Sequence, residues 1–155
     1  MKKTIISLLL FVFATQLPLY AKTGSDDARY VGGTITTIKD QTEGKVSTKD
    51  EKAFTFDYKG GQLAIPYDKV NSLEYGQKAG RRLGLAIAVS PIALLSKKRK
   101  HFLTINYIDQ NDKEQAVVFE LGKDVVRVTL SSLEARTGRK IEYQDEEARK
   151  SSKGN

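Results

Sequence analysis

The chain has 155 residues, no cysteine, no tryptophan, one histidine and a formal net charge of +7. That length suits one domain around one hydrophobic core. The missing cysteines exclude disulfide staples, thiol catalysis and thiolate metal sites together, and a single histidine excludes a multi-histidine metal centre.

Residues 1–21, "MKKTIISLLLFVFATQLPLYA", read as a secretory signal: two lysines, an apolar run from Ile5 to Ala14, a helix-breaking Pro18, and small Ala21 at the cleavage position. The mature chain is then 22–155 and extracytoplasmic, periplasmic or secreted. The alternative is an uncleaved N-terminal anchor that ties the domain to the envelope. No cysteine follows the apolar run, which excludes a bacterial lipid anchor on this segment. The charge is local. Without Lys2 and Lys3 the net falls to +5, while the stretch between Glu74 and Asp109 carries seven basic residues and no acidic one, leaving −2 for the rest of the mature chain.

A polar lead (22–28) precedes a predicted strand over 29–39, "RYVGGTITTIK", in which Gly32-Gly33 signals a bulge or a close backbone approach. "DQTEG" reads as a turn and "KVSTK" as a short second strand. In "AFTFDY" the rings of Phe54, Phe56 and Tyr58 alternate onto one face. "KGG" is hairpin chemistry, and "QLAIPY" returns with Leu63, Ile65 and Tyr67 in phase, Pro66 marking a strand end or an edge. "DKVNSLEYG" adds Val70, Leu73 and Tyr75. After the basic-flanked stretch 78–100, "FLTINYID" and "EQAVVFEL" form the best-marked hairpin, with Leu103, Ile105, Tyr107 and then Val117, Phe119, Leu121 in phase. Val126, Leu130, Leu133 and Thr137 next make one helical stripe between Asp124, the expected cap, and Gly138. "KIEYQ" reads as a brief extended piece. Residues 144–155 read as a charged, flexible tail.

This order, about six strands and then an amphipathic helix, resembles the bacterial PH-like and GRAM-like domains. The resemblance runs over residues 29–138: a Gly-led first strand, Ile65-Pro66-Tyr67 followed by Val70-Asn71-Ser72-Leu73-Glu74, a late hairpin and a closing helix. It implies a mainly β fold, a bent, partly open barrel capped by the C-terminal helix, with the domain spanning 29–143. The apolar stretch 83–95 departs from that family, which has a short connection there, and no phosphoinositide site is carried over. Fold alone does not set function.

No catalytic, cofactor-binding or metal site emerges. His101 reads as a solvated strand-end residue, a pH switch or base being the sharper alternative. The acidic pairs Asp26-Asp27, Asp50-Glu51 and Glu146-Glu147 fall in polar loops or the tail, and the tyrosines on core-facing strand positions. No small-molecule substrate suggests itself.

The distinctive segment is Leu83–Leu95, thirteen uncharged residues between Arg81-Arg82 and Lys97-Lys98-Arg99-Lys100. As a helix it reaches about 20 Å, short of a hydrocarbon core of about 30 Å. Pro91 breaks it, and basic flanks on both sides suit a single crossing poorly. Nucleic acid as partner is disfavoured by the export signal and by the apolar run between the cations. Packing in the core, a protein–protein interface and contact with a membrane surface remain. Burying four of the large side chains yields roughly 6 kcal/mol gross whichever surface supplies the cover. The cations favour an anionic surface, near which each adds up to about 1 kcal/mol. The expected contact residues are therefore Arg81, Arg82, Leu83, Leu85, Ile87, Ile92, Leu94, Leu95, Lys97, Lys98, Arg99 and Lys100, on a helical insert over 83–95 broken near Ser90-Pro91. The expected partner is an anionic membrane surface or an envelope protein.

The signal reading predicts an intact mass that starts at Lys22 for protein recovered from the source cells. A full-length chain in a membrane pellet that resists alkaline washing establishes the anchor instead.

Overall fold

The structure is a computed structural model and describes residues 27–78 and 100–153. Eight strands form one mixed sheet that does not close: β1 (Asp27–Gly33), β2 (Thr42–Ser47), β3 (Ala53–Tyr58), β4 (Gly61–Pro66), β5 (Val70–Gly76), β6 (His101–Ile108), β7 (Glu114–Leu121) and β8 (Ile141–Tyr143). Their spatial order is β4-β3-β2-β1-β7-β6-β5-β8. All neighbours are antiparallel except β8, which lies parallel to β5. The helix α1 (Val126–Thr137) lies between β7 and β8 in the chain, and α2 (Glu146–Ser152) follows β8. The fold is mainly β with a C-terminal helix.

One face of the sheet, called inner here, carries the core. Phe54, Phe56, Ile65, Leu73, Tyr75, Leu103, Ile105, Val117 and Phe119 are fully buried there, and Val126, Leu130 and Leu133 of α1 close over them. The helix stripe follows from residues spaced four and three apart. Phe119 is the centre of this packing: its ring lies 4.9 Å from Phe56, 5.6 Å from Phe54 and 6.0 Å edge-on to Tyr30. Such tilted and edge-to-face pairs add to plain area burial.

Local chemistry accounts for most element boundaries. Gly33 crosses β7 so closely that a Cβ there would collide with the carbonyl oxygen of Ala116, and the register shifts between Tyr30 and Gly32 as a bulge. A second bulge between Val70 and Ser72 explains why the apolar phase of β5 steps from Val70 to Leu73. The β6–β7 turn is tied by Asp109, whose carboxylate accepts from the Asn111 and Lys113 N–H groups at 2.8 and 3.0 Å. The Lys113 N–H, and then the Gln115 side-chain amide at 2.9 Å, hold its pKa below the usual carboxylate range. Gly138 ends α1 in the left-handed conformation (φ 68°), its N–H bonded to the Glu134 carbonyl at 3.0 Å.

Three sequence expectations are corrected. The strand over 29–39 stops at Gly33, because Gln41, at φ 66°, donates its N–H back to the Tyr30 carbonyl and folds the loop over; Ile38 is still buried. Asp124 does not cap the helix: residues Lys123–Val125 form a 3-10 turn, and α1 begins at Val126 with no side-chain cap. The segment read as a flexible tail contains α2, capped by Asp145, whose side chain accepts from the Ala148 N–H at 2.7 Å, with Ala148 fully buried in the inner core. The expected insert over 83–95 lies outside the described residues.

Replacing Phe119 with Ala removes a ring with three aromatic neighbours and is expected to lower the free energy of unfolding by about 3–5 kcal/mol. Phe119→Leu, which keeps more of the volume, should cost less than half of that. Urea denaturation of both variants checks the order.

Candidate functional site

β5 and β6 are hydrogen-bonded neighbours, with Gly76 opposite Phe102. The chain therefore leaves the sheet after Gly76 and re-enters at His101 side by side, so the segment between them has a single root. Lys78 is exposed at one side of that root. Lys100, at the other side, is partly buried, with Nζ 2.8 Å from Glu120 Oε2; Arg29 Nη1 reaches the same oxygen at 3.9 Å. Lys100 is thus engaged within the domain. The other expected contact residues, Arg81, Arg82, Leu83, Leu85, Ile87, Ile92, Leu94, Leu95, Lys97, Lys98 and Arg99, lie outside the described residues.

A polar relay braces the root from the inner side. Ser151 of α2 donates its hydroxyl to the Ala148 carbonyl at 2.9 Å and lies 3.3 Å from the Tyr75 hydroxyl. The Tyr75 hydroxyl also lies 2.5 Å from His101 Nδ1, so one line of polar contacts joins the three side chains. The imidazole also lies nearly parallel to the Tyr75 ring, at 17° and 6.1 Å between centroids, while Tyr143 meets Tyr75 edge-on. The sequence reading of His101 as solvated is corrected: the ring is half-buried and bonded. Burial, and then the Lys123 charge, hold its pKa below the ordinary 6.5. Burial likewise raises that of Tyr75.

This relay ends on a backbone carbonyl and not on a carboxylate. It orients the imidazole without raising its basicity, in contrast to a nucleophile–base–acid arrangement. Nothing at residue spacing connects Tyr75, His101 and Ser151, so the relay was not legible in the sequence; its nearest signal is a buriable Ala148 flanked by polar residues in the presumed tail. A cleft of about 260 Å³ between α1, β8 and α2, lined by Arg127, Leu130, Glu134 and Tyr143, falls below the usual volume of a small-molecule site. Among the described residues no group of His, Asp or Glu is placed to hold a metal ion, and no helix is long and apolar enough to cross a membrane.

The sequence matches no family model and no curated protein.

A histidine whose folded pKa is depressed binds its proton more readily in the unfolded chain. Its contribution to stability is complete above about pH 6.5 and is lost as the pH falls through the lowered folded value. The melting temperature should therefore decline from pH 7 to pH 5, and His101→Gln should flatten that decline while lowering the melting temperature at pH 7.

Proposed function

We propose that this chain is a non-enzymatic, exported binding domain of PH-like type that works at the cell envelope, meeting an anionic membrane surface through its basic-flanked 79–100 segment. The observation that carries the reading is the shared root. Because Gly76 and Phe102 are paired, the segment that carries the two cationic clusters of the sequence is tethered at both ends to one end of one sheet. Arg81, Arg82, Lys97, Lys98 and Arg99, with exposed Lys78, supply its charge; Lys100 is spent on Glu120. Each cation close to an anionic bilayer contributes up to about 1 kcal/mol, so a cluster of this size is enough for reversible, salt-sensitive attachment.

Support for the PH-like identity comes from the placement of its four sequence features. The Gly-led stretch is β1, the Ile65-Pro66-Tyr67 and Val70–Glu74 stretch joins β4 to β5, the late hairpin is β6–β7, and the closing helix is α1. Partner choice rests on charge.

Flotation of the mature chain with vesicles should show binding to phosphatidylglycerol-containing membranes that weakens between about 50 and 300 mM salt, roughly in step with the shrinking Debye length, and little binding to neutral ones. Lys97→Glu, Lys98→Glu and Arg99→Glu together should abolish the preference, with cooperative unfolding preserved. Equal binding by the wild type and the reversed variant overturns the reading.

A further inference from the structure

The outer face of β1, β7, β6 and β5 is as buried as the inner one. Val31 and Ala116 are 0% exposed, Val118 1% and Phe102 3%, although none of the four belongs to the inner core cluster. The ladder places them together: Val118 lies opposite Thr104 and opposite Gly32, next to Val31 in the bulge, Phe102 opposite Glu120, Thr104 opposite Glu74, and Ala116 opposite Asn106. Thr104 and Glu74 on the same face are buried as well. Both described helices are committed to the other face, through Leu130 and Leu133 of α1 and Ala148 of α2. The outer patch therefore has a cover that is not among the described elements.

We propose that this cover is the chain's own apolar segment, Leu83–Leu95, docked across the outer face of the four strands. Its two tethers are at the border of the patch, since Gly76 and Phe102 form its last ladder pair. Four strands span roughly 15–20 Å, and thirteen residues reach about 20 Å even as a helix. The 21 residues from 79 to 99 suffice to cross the face and return. Lys100, at the end of the segment, is bonded to Glu120, which lies opposite Phe102 of the patch, so the segment joins the sheet on its outer side. The competing stretch from this chain is the N-terminal one. On the export reading it is reduced to Lys22-Thr-Gly-Ser-Asp26, which has no large apolar side chain to offer. Docking of the apolar residues leaves membrane contact to the cations, and it holds whether or not those cations meet a membrane.

The chain has no cysteine, so Val118→Cys gives a single thiol reporter in the centre of the patch. In the mature chain its maleimide labelling should be slow. Replacing Leu83–Leu95 by a Gly/Ser linker of equal length should raise the rate at least about tenfold, as expected when a buried site becomes open. Unchanged labelling in a folded linker variant overturns the proposal. So does protection that disappears on dilution, which assigns the cover to a second copy, or on starting the chain at Asp27, which assigns it to the N-terminal residues. If the linker variant does not fold, a short bis-maleimide reagent decides. Val118→Cys paired in turn with a cysteine at Leu85, Ile87, Val89, Ile92 or Leu94 should crosslink within one chain for at least one pair, and failure of all five is refuting. Combined with Val118→Cys, the charge reversal at Lys97, Lys98 and Arg99 should leave the introduced thiol protected, which separates this outcome from the vesicle result.

Discussion

The architecture depends on keeping water from both faces of four strands. An antiparallel sheet often has one solvated face, and its strands then alternate cleanly between apolar and polar residues. Here β6 is buried without interruption from Phe102 to Ile105, and β7 from Ala116 to Phe119. Each such run needs two covers. α1 supplies the inner one, seated by Leu130 and Leu133 against the aromatic group around Phe119. The outer one falls to the basic-flanked segment in the arrangement proposed above, which turns an apparent insertion into a structural layer.

Away from those four strands the requirement relaxes, and the sheet changes character. β2 alternates, with Glu43 and Lys45 in solvent and Val46 buried. β4 forms one open edge; it exposes Gly61, Gln62 and Ala64 and ends at Pro66, which cannot extend a ladder. The other edge, β8, is only three residues long and is followed directly by α2. Short, polar or proline-ended edges are how an unclosed sheet avoids pairing with another chain.

What the sequence made legible, and what it did not, divides along the same line. Alternation located β3, β4, β6 and β7, and the four–three spacing located α1, because each of those patterns records one buried face. The glycine pair in β1 was readable as a bulge or close approach, and it is both. Alternation is silent about a second buried face. Val118 and Ala116 are written plainly in "AVVF", yet a search for one phase keeps Val117 and Phe119 and discards the residues that alternate with them. α2 was hidden for a different reason: six of its seven residues are polar, and its place is held by a cap at Asp145 and one small buried side chain, Ala148. His101 was misread because its surroundings come from residues 26 positions before it and 50 after it, Tyr75 and Ser151.

The root of the segment brings these threads into one electrostatic arrangement. Lys100 stands at that root, and Glu120 receives it while lying within reach of Arg29. Exposed pairs of this kind contribute little, but these are partly buried and share one carboxylate. A protonated imidazole at the same place would add another positive charge beside Lys123, inside a half-buried hydrogen-bonded relay. Burial and that neighbouring charge act in the same direction on His101 and keep it neutral around pH 7. The cationic character of the root is then set by lysine and arginine alone. On the membrane reading proposed above, attachment in the neutral range then answers to salt rather than to pH.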